Sequence, residues 1–183
     1  MSKFEDWNEK LAKEDIWEFK TNPWQWQRFK DVVNLLPEAN SVLEIGCMEG
    51  EFTKYLKNKD ITAIDISSVA IERAKPKCPN VEFKVWDIEE SSLYKEFDLV
   101  IVMETLYYLG LNDKTKENIA IMVKKGGYLV LEHVLGSTHD NRVIADFYHP
   151  PYINDERFEK ILFFERYGED KPQSYQIVVL RKK

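Results

Sequence analysis

The chain has 183 residues, 44% of them hydrophobic and 13% aromatic, with 26 Lys and Arg against 32 Asp and Glu for a formal charge of −6. At about 150 residues per domain this length predicts one domain, and the apolar fraction is enough to build a core, which excludes wholesale disorder. The negative balance is the wrong sign for a surface that binds phosphate backbones, so no nucleic-acid partner is expected. The aliphatic run Leu99 to Met103 is far short of the roughly 20 residues of a membrane span, and Lys3 to Lys20 is too charged for a signal peptide. A soluble, cytoplasmic protein without membrane contact is predicted. Cys47 and Cys78 form no C-x-x-C pair, and His133, His139 and His149 match no zinc-ligand spacing, so no metal is expected.

In chain order, Phe4, Trp7 and Leu11, then Trp26, Phe29, Val33 and Leu36, recur at helical spacing and predict two helices in the first forty residues. Asn22 and Pro23 read as the N-cap and first residue of the second helix, with Gln25 completing a capping box. From Ser41 short apolar runs alternate with charged helical stretches, which predicts β-α units in a parallel sheet. The strands expected are Ser41 to Ile45, Ile61 to Ile64, Val81 to Val85, Phe97 to Met103 and Tyr128 to His133. Crossover helices are expected around Phe52, Tyr55 and Leu56, from the Ser67 cap through Ala74, and from Asn112 through Val123, the last ended by Gly126-Gly127. Two further strands, Phe158 to Tyr167 and Ser174 to Arg181, are joined by only six residues. A parallel crossover needs a dozen or more, so this connection is a hairpin and the sheet is mixed at one edge.

The most informative string is Val42-Leu43-Glu44-Ile45-Gly46-Cys47-Met48-Glu49-Gly50, an apolar strand entering a glycine-punctuated turn. Gly46 and Gly50 have no Cβ and let a ligand approach the backbone, and Glu44 leaves a carboxylate at the strand end where open α/β sheets bind ligands. Asp65 ends the second strand, where a carboxylate can accept from both ribose hydroxyls of an adenosine at roughly 1.5–3 kcal/mol per charge-assisted contact. Asp87 closes the third strand, placed to accept from an adenine amino group while Trp86 or Ile88 covers the ring.

These successive strand-end acids, together with Phe97-Asp98-Leu99-Val100-Ile101-Val102-Met103-Glu104-Thr105-Leu106-Tyr107-Tyr108-Leu109 and Gly126-Gly127-Tyr128-Leu129-Val130, resemble the class I S-adenosylmethionine-dependent methyltransferases over about residues 25–181. The resemblance implies an α/β fold with a Rossmann-like seven-stranded mixed sheet, an antiparallel last strand and helices on both faces. It implies S-adenosylmethionine as cofactor, held by Glu44, Gly46, Cys47, Gly50, Asp65, Ile66, Asp87, Ile88, Met103 and Glu104. Residues 1–40 would form an N-terminal helical cap that closes over the cofactor, residues 41–183 the α/β core of a single methyltransferase domain, and residues 136–157 the opposite, substrate-side lip. The Cys-x-x-Gly turn with Glu44 and the Leu-Tyr-Tyr-Leu string are similar to the nodulation-type N-methyltransferase branch, which acts on an amino sugar. Met48 stands where the commonest turn of the family has glycine, so the contact there comes from backbone or from a shifted loop.

Methyl transfer from a sulfonium is an in-line displacement, in which alignment alone supplies roughly 7–11 kcal/mol for well-oriented reactants. A general base helps when the acceptor is a protonated amine or a hydroxyl. Glu104, Tyr107, Tyr108 and His133 are the candidates, with His133 ranked first because it ends the fifth strand. Tyr108, His133, Tyr148, His149 and Trp24 are expected to face a small-molecule substrate bearing an N or O acceptor, with Tyr152 beside them. Trp7, Trp17, Trp24 and Trp26 crowd the first 26 residues and read either as helix packing or as a pocket wall. An NAD-dependent oxidoreductase shares the strand, turn and acid, but its G-x-G-x-x-G fingerprint would need glycine at Met48 and Glu51. A catalytically silent domain of the same fold that holds a partner protein is the other alternative. The sequence leaves the oligomeric state open.

Overall fold

The computed structural model describes residues 3–58, 60–109, 112–135, 148–168 and 174–183. Helices α1 (Lys3–Lys10) and α2 (Pro23–Leu35) fill the N-terminal segment. The Asn22 side chain accepts from Trp24 N at 3.0 Å, and Pro23, with no N–H to leave unsatisfied, opens the helix. The Gln25 half of the capping box does not form, because the Gln25 carboxamide accepts from Arg28 instead. The buried face of α2 is also rotated from the expected one. Gln25, Arg28, Phe29, Asp31 and Val32 are buried while Trp26 is 38% exposed, because this helix packs against a cavity as well as a core.

The strands are β1 (Ser41–Ile45), β2 (Asp60–Asp65), β3 (Glu82–Val85), β4 (Phe97–Met103), β5 (Val123–Val134), β6 (Phe158–Arg166) and β7 (Tyr175–Lys182). They form one sheet in the order β3-β2-β1-β4-β5-β7-β6. The first five pair in parallel, and β7 runs antiparallel to β5 and also to β6, the latter as the short last connection requires. Alternate side chains divide the core. Leu43, Ile45, Val100, Val102, Leu129 and Leu131 meet Ile119 of α4 (Asp113–Ile121) and Met122 just after it, while Val42, Leu99, Ile101, Val130, Ile177 and Val179 meet Phe29 and Val32 of α2. Helix α3 (Ser68–Ala74), capped by Ser67 Oγ accepting from Ala70 N, lays Ile71 against Ala63. Strands covered on both faces are near-continuous runs of Val, Ile and Leu, which is how these segments read in sequence. Among the described residues no helix is long and apolar enough to cross a membrane.

Two expected elements differ. The helix around Phe52 is a single 3-10 turn, Thr53–Tyr55. Phe52 and Tyr55 pack on Phe29 of α2, edge-on and tilted, with ring centroids 5.5 and 5.8 Å away, so α2 already covers this face, and the left-handed residues Gly46, Met48 and Gly50 consume the start of the connection. The α4 crossover stops at Ile121, and Gly126-Gly127 lies inside β5 instead of ending a helix. Val123 already pairs with Phe97, and the register slips between Phe97 and Leu99, so the glycines form a bulge. A Cβ on Gly127 would sit 2.9 Å from the Asp98 carbonyl and 3.0 Å from that of Lys124. We therefore expect Gly127→Ala to lower stability by about 1–3 kcal/mol, the cost of forcing volume into a packed site. Denaturant unfolding would read this as a lower midpoint at unchanged slope.

Candidate active site

The carboxyl ends of β1, β2 and β4 and the segment after β3 open on one cavity of about 170 Å³, far beyond the roughly 10–15 Å³ that one water needs. This is the edge where open α/β sheets bind ligands. Trp7 of α1, Trp17, Phe19 and Trp24 of α2 wall it on the side of the N-terminal segment. Glu49 ties that wall down: its buried carboxylate accepts from Arg73 Nη1 (2.9 Å) and from Asp15 N (3.3 Å), while Arg73 also donates to the carbonyls of Leu11 and Ala12. Trp7 meets Tyr108 edge-on at 4.8 Å.

The glycine turn is held by backbone bonds, with Gly46 N and Cys47 N both donating to Ile64 O at 2.8 and 3.0 Å. Gly46 has φ +78°, and a Cβ there would lie 2.2 Å from Thr105 Oγ1. Met48 adopts the left-handed conformation at φ +50°, which costs a side chain roughly 1–2 kcal/mol, and its N–H donates to Asp65 Oδ2 at 2.9 Å. The turn is thus kept without the customary glycine. Asp65 Oδ1 accepts from Ser67 N at 2.8 Å, so each carboxylate oxygen retains lone-pair capacity for a ligand. Burial pushes the Asp65 carboxyl up, opposed by the N–H groups of Ser67, Met48 and Ile66. Glu44, under the turn, accepts from Thr53 Oγ1 at 2.7 Å and is pushed up to about 8 by burial, with Asp65 adding to the shift.

Of the expected cofactor residues, Glu44, Gly46, Cys47, Asp65, Ile66, Asp87, Ile88, Met103 and Glu104 line the cavity. Gly50 does not. Its φ is +76° and a Cβ would meet Ala74 Cβ at 3.1 Å, so it is a packing contact with α3. Trp24, Tyr107 and Tyr108 also line the cavity, and the two tyrosine rings touch at 4.1 Å.

His133, Tyr148 and His149 lie outside the cavity lining, as does Tyr152, which is buried in the core. His133 is not placed to act as a base. Its Nε2 accepts from Leu106 N at 3.1 Å, so its proton is on Nδ1 and donates to His149 Nε2 at 2.8 Å; His149 Nδ1 then donates to Gln176 Oε1 at 2.5 Å. Both rings are fully buried, and burial holds both below the usual histidine range, His149 at about 4. Tyr148 packs toward Tyr107, ring centroids 6.5 Å apart. Of the expected lip, residues 136–147 lie outside the described residues, and His149 with the helical turn Pro150–Ile153 packs inward.

The sequence reading missed one cluster. Arg28 of α2, 3% exposed, donates through Nη1 to both carboxylate oxygens of Glu132 (3.3 and 3.2 Å) and lies 3.2 Å from Glu104 Oε1. Its Nη2 donates to Gln25 Oε1 at 2.6 Å, and its guanidinium lies over the Trp24 ring at 5.2 Å. Arg28, Gln25 and Glu104 line the cavity. The available signal was Glu132, an acid that directly follows the apolar run Leu129-Val130-Leu131 within the fifth strand. Among the described residues no group of three or more His, Cys, Asp or Glu side chains is arranged to hold a metal ion.

This sheet order, with a cavity at the parallel strand ends and a reversed seventh strand, is the Rossmann-like methyltransferase fold. The family model for nodulation protein S matches residues 4–145, and the chain belongs to the nodulation protein S family. It is 34% identical over 147 residues to nodulation protein S of Rhizobium tropici, covering 73% of this chain and 59% of that protein. Nodulation protein S of Bradyrhizobium diazoefficiens is 34% identical over 107 residues, covering 54% of this chain and 51% of that one. The chain thus spans between half and two thirds of the length of these curated relatives. The crystal structure of N-methyltransferase NodS from Bradyrhizobium japonicum WM9, in complex with S-adenosyl-L-homocysteine, superposes with a TM-score of 0.84 at 25% identity, covering 98% of this chain and 97% of that one.

The histidine chain carries a pH dependence. Both rings are held neutral in the fold, so below the unfolded value near 6.5 the unfolded chain takes up protons that the folded one refuses. Stability is therefore expected to fall as pH drops from about 6.5 toward 4. Melting temperature measured against pH should show this limb, and His149→Gln should flatten it.

Proposed function

We propose that this protein is an S-adenosylmethionine-dependent methyltransferase acting on a small amine. The single observation that carries the reading is Asp65, a buried carboxylate bound to the Met48 and Ser67 amides with acceptor capacity to spare, at the head of a cavity that Gly46 leaves open. The residues present fit the cofactor. Asp65 would take the ribose hydroxyls, Ile66, Trp86 and Ile88 would enclose the adenine beside Asp87, and Met103 with Glu104 would border the methionine part. Even with Glu44 held largely neutral by burial, Glu51, Asp65, Asp87, Glu89 and Glu104 around the cavity outnumber Arg28, a balance that suits a cationic sulfonium donor and a cationic amine. Family membership and the likeness to an N-methyltransferase structure support the same reading.

When bound, the cofactor supplies a methyl group already activated on sulfur. The chain's own part is to align the partners, exclude water and manage one proton. The aromatic wall of Trp7, Trp17 and Trp24 shields the site, and Glu104 presents a partly exposed carboxylate to the acceptor side. The left-handed Met48 keeps the turn in shape, which weakens the silent-domain alternative.

Calorimetric titration with S-adenosylhomocysteine, with NAD in parallel, tests the reading: micromolar binding of the former and none of the latter is expected. Asp65→Ala removes two charge-assisted contacts and should weaken binding at least tenfold while circular dichroism confirms a folded chain. Equal affinities in the two proteins would remove the ribose role.

A further inference from the structure

The Arg28, Glu104 and Glu132 cluster has more acid than base, and its burial makes that imbalance consequential. Glu132 is fully buried on β5, Arg28 nearly so on α2, and Glu104, φ +47°, follows β4 with its side chain 21% exposed to the cavity. Glu104 Oε1 accepts from Val134 N at 2.5 Å and faces Arg28, while Oε2 accepts from Tyr107 OH at 3.3 Å. Gln25 accepts from Arg28, the Tyr108 ring touches that of Tyr107, and His133 is held neutral, chiefly by burial with His149 and Arg28 adding to it. One guanidinium therefore serves two carboxyls, and a site that fully ionised both would carry an uncompensated charge out of water.

We infer that Glu104 is the proton acceptor for the acceptor amine, and that Glu132 is a positioning residue that keeps Glu104 basic by sharing the Arg28 guanidinium. This rests on the methyltransferase reading and deepens it. An amine that arrives as an ammonium gives one proton to the Glu104 carboxylate. Its freed lone pair forms the N–C bond as the S–C electron pair returns to sulfur, the product leaves as a methylammonium, and Glu104 releases its proton to solvent. Burial raises both carboxyls and Arg28 opposes the rise, so the two titrate as a pair. With Glu132 replaced by Gln, Arg28 belongs to Glu104 alone and the remaining carboxyl becomes an ordinary ion-paired, weakly basic one.

Carboxyl-labelled glutamate NMR of the free full chain from pH 4 to 9 reads this without any ligand. Two coupled resonances with midpoints above the usual carboxylate range are expected, and Glu132→Gln should move the Glu104 midpoint down by a unit or more. A Glu104 midpoint unmoved in that variant overturns the positioning role. If Glu132→Gln fails to fold, the wild-type titration decides, since two independent, ordinary midpoints overturn the pair. For turnover, a panel of glucosamine and simple aliphatic amines identifies the amine methylated fastest, and with it Glu104→Gln should lose about 100-fold in rate at unchanged S-adenosylhomocysteine affinity. In Glu132→Gln the acid limb of the rate profile should move down with the NMR midpoint. Equal rates in Glu104→Gln overturn the base role. Methylation of no amine, with S-adenosylhomocysteine still bound, overturns the amine acceptor and this inference with it, and absence of S-adenosylhomocysteine binding overturns the methyltransferase reading while leaving the carboxyl coupling to be read by NMR.

Discussion

The Asp65 carboxylate is the contact on which the cavity depends. It ends β2, accepts from Met48 N in the turn after β1 and from Ser67 N at the cap of α3, and so locks three elements together at one point. The lock reaches outward through the turn, because Glu49, the residue after Met48, receives Arg73 of α3 and the Asp15 amide. A buried carboxylate is costly unless its lone pairs are met by donors, and here backbone amides meet them. The N-terminal wall is thereby coupled to the same turn that a ligand would have to touch.

Two opposite demands meet in α2. Toward the sheet it buries Phe29 and Val32 on the apolar face of β1, β4, β5 and β7. Toward the cavity it buries Gln25 and Arg28, and the cost of that guanidinium is offset by Glu132, Glu104, Gln25 and the Trp24 ring. Burying an ion is costly unless it is well paired, and here the pairing is incomplete, because among the described residues Arg28 Nε has no hydrogen-bond partner. A cluster that contributes little net stability and lies against a cavity is where chemistry is tuned.

The histidines illustrate how neighbouring chemistry redirects a plausible candidate. His133 has the right strand-end position for a base, yet the Leu106 amide occupies one ring nitrogen and His149 the other. The two rings and Gln176 become a directed hydrogen-bond chain that holds the turn bearing Tyr107 and Tyr108. Glu104, one of the weaker-ranked candidates, keeps its partly exposed side chain in the cavity wall.

Period-2 and period-3.6 patterns, the glycine turn and the strand-end acids are local properties, and from them the parallel β-α units, the final hairpin and nearly all the cavity-lining cofactor candidates were legible. Apolar runs in both-face-buried strands carry their assignment in composition alone, and a six-residue connection permits only a hairpin. The tertiary structure decided what depends on partners far apart in the chain. It converted the Phe52 helix to a 3-10 turn because α2 occupies its face, drew Gly126-Gly127 into β5 because Gly127 must pass against the Asp98 carbonyl, and turned Arg28 inward to Glu132, a contact 104 residues away. Sequence spacing encodes which residues share an element's face, whereas the neighbour that a buried polar side chain requires is set only when distant elements are packed together.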